Sequence, residues 1–248
     1  MQVMRWAGMA VIALALVAPA TLNAQEAAAA QPIPEDLMID GFLAAHPDLG
    51  ERKAGIARDE AADFAGALRH YQRAAWYGDK PSQARLGEMY WNGQGVARDR
   101  VQGYLWMALA SERGFREFAI LRQLYWQQLD ADERGRAGAR DQDMLARYGD
   151  AAAKSRLSKV MRRELHRASG SMLGHSAASP VYITRYEGSR PIGVNAEQLY
   201  APQYWDPEQY WQLRDSVWEQ LFEAHVEVGD LKPVPGQQAP APEADDAP

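Results

Sequence analysis

The chain has 248 residues, of which 47% are hydrophobic, and its 33 acidic and 27 basic side chains give a formal net charge of −6. This length has room for one or two domains, and the apolar content is sufficient for a packed core. The negative charge argues against a nucleic-acid-binding protein, because neutralising phosphates requires an excess of Lys and Arg. The absence of cysteine excludes disulfides, thiolate metal sites and a lipid-modified N-terminal Cys.

Residues 1–24 have the pattern of a secretory signal peptide. A positive charge near the start is followed by an apolar run over 7–17, a proline and then small residues. Cleavage is expected near Ala24 or Ala20, where small side chains have the required spacing. An uncleaved membrane anchor is the alternative, but the run is shorter than the roughly 20 residues that a spanning helix needs. We therefore expect a periplasmic or secreted protein with no transmembrane segment after cleavage.

An internal repeat is visible when 67–78 is compared with 103–114, at an offset of 36 residues. Each segment opens with a small residue, has a pair of small residues near its end, and closes with a glycine, Gly78 or Gly114. A glycine after the last turn can take the left-handed conformation that ends a helix. Both segments are therefore predicted to be helices at equivalent places in successive units.

A further helix is predicted over 83–92, between the two similar segments. Its apolar residues share one helical face, namely Leu86, Met89 and Tyr90. Gly93 and Gly95 then end the helix and turn the chain. Asp99 stands where the next helix needs an N-cap. The order is helix, glycine turn, helix and again glycine.

Over residues 67–114 the chain resembles the Sel-one-like repeat, a relative of the tetratricopeptide repeat with units of about this period. The resemblance rests on Leu86, Gly87, Met89, Tyr90, Gly93, Gly95, Val96, Asp99, Trp106, Ala110, Ser111 and Gly114. The sequence departs from the family at Ser82, Gly103 and Ser111, where alanine is preferred, and we expect these small-for-small changes to leave the packing intact. The resemblance implies an α/α superhelix that acts as an adaptor or assembly scaffold.

Weaker units flank the good repeat. A helix over 47–57 is predicted to pair with the helix over 61–77. Downstream, 124–126 falls one period after 88–90, and 130–133 has the sequence of a capping box that opens another helix. At least three stacked units are usually needed for a stable solenoid, and this chain just reaches that number.

The segment after residue 150 is predicted to contain both helices and short strands. A basic amphipathic helix is expected over 151–168, strands at 180–186, 192–194 and 226–228, and a helix over 207–223. We expect a small β-containing cap on the end of the stack, since a solenoid must cover its last apolar face. The basic side chains of the first helix form either a stripe for an anionic partner or a solvated face, and the solvated face is favoured.

The predicted fold class is mainly α, with a short α/α superhelical repeat stack and a small β-containing C-terminal cap. The expected parts are a signal peptide, a linker, a helical-repeat domain, a C-terminal helix with a small α/β appendage, and a disordered acidic proline-rich tail. They cover residues 1–24, 25–34, 35–150, 151–232 and 233–248, respectively.

No catalytic residue, cofactor site or metal site is predicted. The five histidines are scattered without the spacing of metal ligands, at positions His46, His70, His166, His175 and His225. Ser176 follows His175, but adjacent side chains rarely point at each other as a catalytic pair does.

The first functional hypothesis is an exported, non-catalytic scaffold that binds a protein or peptide partner in the groove of the repeat stack. Positions off the core face of the helix over 82–92 include Ala84, Glu88 and Trp91, and Gln127 falls one period after Trp91. An exposed tryptophan would be a good anchor for a partner. Alternatively, Trp91 packs against the neighbouring helix.

The second hypothesis is a cell-envelope hydrolase or carbohydrate-binding protein with a site between the stack and the C-terminal appendage. Asp206, Glu208 and Asp215 are its candidate carboxylates, although solvated or capping roles are more common for such residues. The late aromatic residues form either a sugar platform or part of the core, and the core is favoured. They are Tyr200, Tyr204, Trp205, Tyr210, Trp211 and Trp218. A third option is a structural protein that associates with itself.

Overall fold

The computed structural model describes residues 32–168, 182–187 and 190–223, and within these residues the chain is mainly helical. The helices are α1 (Asp40–Ala45), α2 (Pro47–Glu60), α3 (Phe64–Trp76), α4 (Lys80–Asn92), α5 (Arg100–Ala110), α6 (Arg116–Gln128), α7 (Ala131–Tyr148), α8 (Asp150–Ala168), α9 (Ala196–Leu199), α10 (Pro202–Trp205) and α11 (Pro207–Glu223). Single 3₁₀ turns cover Glu35–Leu37 and Ser111–Arg113. Strands β1 (Tyr182–Glu187) and β2 (Arg190–Asn195) pair antiparallel.

Two helix pairs form the regular part of the stack. Helices α2 and α3 pack against each other, as do α4 and α5, and α4 also packs on α3. Helix α6 then packs on α5 in the same way that α4 packs on α3. Helices α4 and α6 have 13 residues each and begin 36 residues apart, at Lys80 and Arg116. The repeat register predicted from the sequence is therefore confirmed as far as α6.

The third unit departs from this pattern at α7. In the first two units the second helix lies along the first, but α7 packs along α5 and contacts α6 much less closely. The capping box that opens α7 is formed as predicted, with Asp130 and Glu133 bonding each other's backbone N–H. Helix α7 is also longer than α5, with 18 residues against 11. The expected third unit therefore begins in register at α6, but its two helices, α6 and α7, do not pack closely against each other.

Short polar and glycine residues delimit the helices at repeat-equivalent places. Asp63 and Asp99 each cap a helix, accepting a hydrogen bond from the backbone N–H three residues later. Gly78 and Gly114 both have left-handed backbone conformations, with φ of 81° and 82°. These residues stand 36 positions apart in each pair, so the predicted turns and the Asp99 cap are confirmed.

Helices α4 and α5 are closely packed with glycine at position 103, so this departure from the family leaves the packing intact. Helices α4 and α5 approach so closely that a Cβ atom added at Gly103 would lie 2.9 Å from the carbonyl oxygen of Gly87 and 2.9 Å from the backbone nitrogen of Trp91. Ser82 and Ser111 also form side-chain hydrogen bonds that alanine could not form. The Ser82 hydroxyl donates to the Asp79 carboxylate at 2.6 Å, and the Ser111 hydroxyl donates to a carbonyl in the preceding turn.

One end of the stack is covered by helices that precede the repeats in sequence and by helices that follow them. Helix α8 packs against α1, α7, α10 and α11. Together they bury a cluster of apolar and aromatic residues, including Leu37, Phe42, Leu49, Leu157, Met161, Tyr204, Trp205, Tyr210 and Trp211. The β-containing cap expected from the sequence is not supported, because the apolar surface at this end is covered by helices. The preference for a core role of the late aromatic residues is confirmed for Tyr204, Trp205, Tyr210 and Trp211.

Several predictions concern residues outside the described part of the chain. They are the signal peptide over 1–24, most of the linker over 25–34, the strand at 226–228, the tail over 233–248, and the adjacent His175 and Ser176. None of the helices within the described ranges is long and apolar enough to cross a membrane.

Candidate functional site

The four residues expected to bind a partner do not form one open surface. Trp91 is only 8% exposed, and its ring stacks on that of Tyr125 with the centroids 4.0 Å apart. Ala84 is buried in the same apolar cluster as these two rings. Glu88 is half-buried, whereas Gln127 is exposed on α6. Trp91 therefore packs against the neighbouring helix, which is the alternative to an exposed anchor.

The last helix of the described chain lies across the first turns of the repeats. Arg214 of α11 pairs with Asp79 at 3.2 Å, and Asp215 pairs with Arg113 at 2.8 Å. Further along α11, Trp218 is partly buried against the cluster that contains Ala84. The surface on which a partner was expected is thus shared with a helix of the chain itself.

The first charged centre beneath α11 is the buried carboxylate of Asp79. It accepts hydrogen bonds from Arg52 at 2.9 Å and from Arg214 at 3.2 Å. It also caps α4 by accepting from the Ser82 backbone N–H. One carboxylate at a helix N-terminus therefore joins α2, α4 and α11, and two arginines balance its charge.

The second charged centre lies where α4, α5, α8 and α11 meet. Arg113 binds both carboxylate oxygens of Asp150 at 2.9 Å and donates to Asp215 at 2.8 Å. The buried ammonium of Lys80 contacts Asp150 at 3.0 Å and Glu112 at 2.8 Å. Burial lowers the pKa of Lys80, and the neighbouring carboxylates oppose that shift. Burial alone would raise the pKa of Asp150, but Arg113 and Lys80 outweigh it and lower that pKa to about 2.

The carboxylates proposed for a hydrolase have structural roles. Asp215 is neutralised by Arg113, and Asp206 caps α11 by accepting from the Gln209 backbone N–H. Glu208 is exposed. This arrangement of Asp206 and Asp215 can hold helices together.

His46 and His70 also have packing or ion-pair environments. His46 is fully buried, with its ring nitrogens 2.8 Å from the Phe42 carbonyl oxygen and 2.6 Å from the Tyr204 carbonyl oxygen. Burial lowers the pKa of His46 below its ordinary value. His70 contacts Glu51 at 2.7 Å. Within the described residues, no group of three or more His, Asp or Glu side chains is placed to hold a metal ion.

A cavity of about 370 Å³ lies between α2, α4 and α11. Its lining is largely apolar and consists of Pro32, Ile33, Met38, Arg52, Ile56, Tyr71, Pro81, Ser82, Arg85, Leu213, Arg214, Val217 and Trp218. Ile56 is 43% exposed and forms part of the rim. Arg85 is held in place by Asp59 and Glu88. Such a cavity can accept an apolar side chain beside a fixed guanidinium group.

The sequence did not reveal this cavity. Its walls come from segments more than 150 residues apart, such as Ile56 and Trp218, and no local pattern says which helix will cover α2 and α4. The amphipathic character of α11 indicated that the helix would be buried but not where.

Comparison with known proteins supports the identification of the repeats. The Sel1 repeat model matches residues 52–75 and 80–115, which correspond to α2 with α3 and to α4 with α5. A search of the curated proteins found no match.

A solved structure with some similarity is the crystal structure of c5321, a protective antigen present in uropathogenic Escherichia coli strains and displaying an SLR fold. The two are 27% identical over 45% of this chain and 25% of that chain, with a TM-score of 0.40. The aligned part is one quarter of that protein's length. The matched helix pairs, their glycine turns and their 36-residue period show that residues 52–75 and 80–115 are similar to Sel1 repeats.

Proposed function

We propose that this chain is an exported, non-catalytic interaction scaffold of the cell envelope that binds a protein or peptide partner at its repeat stack. Sel1 repeats are generally scaffolds for protein–protein interaction, which supports the general class. The secretory pattern of residues 1–24 supports export.

The cavity between α2, α4 and α11 is the proposed site. The observation that carries this proposal is the exposure of Ile56 at the rim of a largely apolar cavity whose walls include the repeat helices. Interfaces obtain much of their binding energy from a few apolar or aromatic anchors that fill such pockets. We propose that the partner inserts an apolar side chain here.

The arginines around the cavity are paired with carboxylates of the chain itself, so the apolar lining is what the cavity offers to a partner. Arg52, Arg85 and Arg214 all line the cavity. Arg85 already has two carboxylate neighbours, Asp59 and Glu88, and is about one quarter exposed. Glu88 thus acts on the site by holding Arg85, in place of the direct contact expected from the sequence.

The test is a pull-down from envelope extract with the full chain and mass spectrometry of what is enriched. The Ile56→Glu variant should lose the partner, because it places a carboxylate in the apolar cavity that the partner's side chain would fill. Gln127→Glu, an equally exposed charge change on α6, should keep it. If wild type and Ile56→Glu enrich the same proteins, the partner binds at a site other than this cavity. Turnover or binding of a cell-wall sugar, with no protein enriched, would favour the hydrolase or carbohydrate-binding alternative.

Export has its own test. The chain should be recovered from periplasm or culture medium with a mass that corresponds to cleavage near Ala24 or Ala20. Recovery of the full-length chain in the membrane fraction would favour an uncleaved anchor.

A further inference from the structure

A second cavity, of about 520 Å³, is lined by residues of α2, α3 and α7. Arg69, Arg73 and Trp76 line it from α3, Glu51 from α2 and Tyr148 from α7. The three α3 residues lie at positions i, i+4 and i+7, so they form one stripe along that helix. We call these three residues the α3 stripe. Both of its arginines are exposed, and Trp76 is 38% exposed.

The corresponding positions of α5 are apolar and covered. One period later, Arg69 and Arg73 correspond to Leu105 and Leu109, which are almost completely buried in apolar clusters that residues of α7 complete. Helix α7 lies along α5 and contacts α3 much less. The α3 stripe is therefore open, and it carries charged groups where the stripe covered by α7 carries leucines.

The carboxylate in the described lining of this cavity already has basic neighbours. Glu51 lies 2.7 Å from Nδ1 of His70 and 3.5 Å from a guanidinium nitrogen of Arg73. Arg69 has no carboxylate within ion-pair distance among the residues that the structure describes. Positive charge therefore exceeds negative charge at this cavity, although the whole chain has a net charge of −6.

A further guanidinium group is fixed beside the α3 stripe. Arg156 of α8 lies over the Trp76 ring, 3.5 Å from its centroid. It donates to the backbone carbonyl oxygens of Trp76 and Arg147, near the ends of α3 and α7. Arg156 thus forms no ion pair with a carboxylate in the described part of the chain, and it adds positive potential to the aromatic wall of the cavity.

We propose that this cavity binds an acidic peptide segment of a partner, with carboxylates on Arg69 and Arg73 and an apolar ring on Trp76. Side chains at i and i+4 of a helix are about 5–6 Å apart, and alternate side chains of an extended peptide are about 6.6 Å apart. Acidic residues at every second position of the ligand can therefore reach both arginines. Proline suits the contact with Trp76, because extended proline-containing segments bind in aromatic-lined grooves.

This site differs in chemistry from the cavity at Ile56. The arginines of that cavity are paired with carboxylates of the chain itself, and its apolar lining is what a partner can use. At the α3 stripe, Arg69 can still form charge-assisted hydrogen bonds with a ligand. Binding of an acidic segment here goes beyond the proposed apolar contact and does not depend on it.

The test is the binding of a labelled synthetic peptide of alternating Glu and Pro to the full chain, measured by fluorescence anisotropy. A peptide of alternating Gln and Pro should bind at least about tenfold more weakly, because it cannot form charge-assisted hydrogen bonds with the arginines. Salt should weaken the binding of the acidic peptide, since it screens these exposed charges.

The double variant Arg69→Gln/Arg73→Gln should raise the Kd for the acidic peptide at least about tenfold. It should remain folded, because both side chains are exposed. Trp76→Ala should also raise the Kd, since the ring that contacts proline is lost. The matched control is Arg116→Gln/Arg122→Gln, which removes two exposed arginines from α6 and should leave the Kd unchanged. Equal losses in the two double variants would show unspecific attraction and overturn the proposal.

Equal affinity for the two peptides, or normal binding by the α3 double variant, would also contradict the proposal. If the acidic peptide binds only after Glu243→Gln, Asp245→Asn and Asp246→Asn are introduced together, the cavity belongs to the chain's own acidic segment and not to a partner. Ile56→Glu should bind the acidic peptide as wild type does. Failure of this proposal is therefore distinguishable from failure of the proposed site at Ile56.

Discussion

The indole ring of Trp91 on α4 and the phenol ring of Tyr125 on α6 lie face to face, 4.0 Å apart and inclined by 11°. Both residues are at least nine-tenths buried, and the guanidinium group of Arg100 lies over the indole ring, 5.1 Å from its centroid. This stack joins the first helices of two successive units. The tryptophan that the sequence suggested as a binding anchor is therefore part of the packed interior between two repeat units.

Replacing Trp91 should destabilise the protein. Trp91→Ala removes a buried aromatic ring and its stacking on Tyr125, so the free energy of unfolding should fall by about 3–5 kcal/mol. Urea unfolding measures this change. Gln127→Ala, at the equivalent position of α6, should change it by no more than about 0.5 kcal/mol because the side chain is exposed. Equal effects of the two variants would contradict the burial of Trp91 against Tyr125.

The close approach at Gly103 predicts an unusual response to alanine. Alanine favours a helix over glycine by about 1 kcal/mol. At Gly103, however, the new methyl group would meet backbone atoms of Gly87 and Trp91 that cannot turn away, and such overpacking costs about 1–3 kcal/mol. Gly103→Ala should therefore lower the thermal midpoint.

The matched control for Gly103 is Gly138→Ala on α7. An added Cβ atom there meets nothing within 4 Å. This variant should raise the thermal midpoint, because only the helix propensity changes. A stabilising Gly103→Ala would show that α4 and α5 are not packed as closely as described.

Arg113 is expected to be irreplaceable by lysine. Its guanidinium group makes a bidentate contact with Asp150 and also binds Asp215, which a single ammonium group cannot reproduce. Loss of one partner of a buried ion pair costs about 3–5 kcal/mol, and Arg113→Lys should approach that value in urea unfolding. Arg163→Lys on the exposed side of α8 should have almost no effect. An Arg113→Lys variant as stable as wild type would show that the contacts of Arg113 with Asp150 and Asp215 do not hold α8 and α11 in place.

Acid should weaken the ion pairs that Asp150 forms with Arg113 and Lys80, and it should do so within a defined pH range. The pKa of Asp150 is about 2 in the folded protein against 3.8 as the ordinary value, so this group stabilises the fold above about pH 4. That contribution is lost as the pH falls from about 4 to about 2. Asp150→Asn should be less stable at neutral pH and should lose less stability across that range. Parallel pH profiles for the two proteins would exclude this role of Asp150.

Local signals predicted much of the repeat region. The cap at Asp99, the left-handed turns at Gly78 and Gly114, and the capping box at Asp130 all depend on interactions within a few residues of sequence. A 36-residue offset then places such signals in successive units. For this reason the helix pairs could be predicted without knowledge of what lies around them.

The candidate site could not be predicted because it depends on contacts between distant segments. Arg113 and Lys80 look like ordinary surface charges until α8 and α11 bury them. Nor does the sequence of α7 indicate that it packs along α5 and leaves Ile120 open. Which helix packs against which is decided by competition between apolar faces, and local helix propensity does not say which packing wins.

The contact of His46 with the Tyr204 carbonyl oxygen joins residues 158 positions apart in the chain. Arrays of repeats normally gain and lose units one at a time, because each unit touches only its neighbours. Here the aromatic cluster around Phe42 cannot form until α10 and α11 have been synthesised. The molecule should therefore fold late and as a whole, and a fragment trimmed to the repeats alone would leave half of its largest apolar cluster without a counterpart.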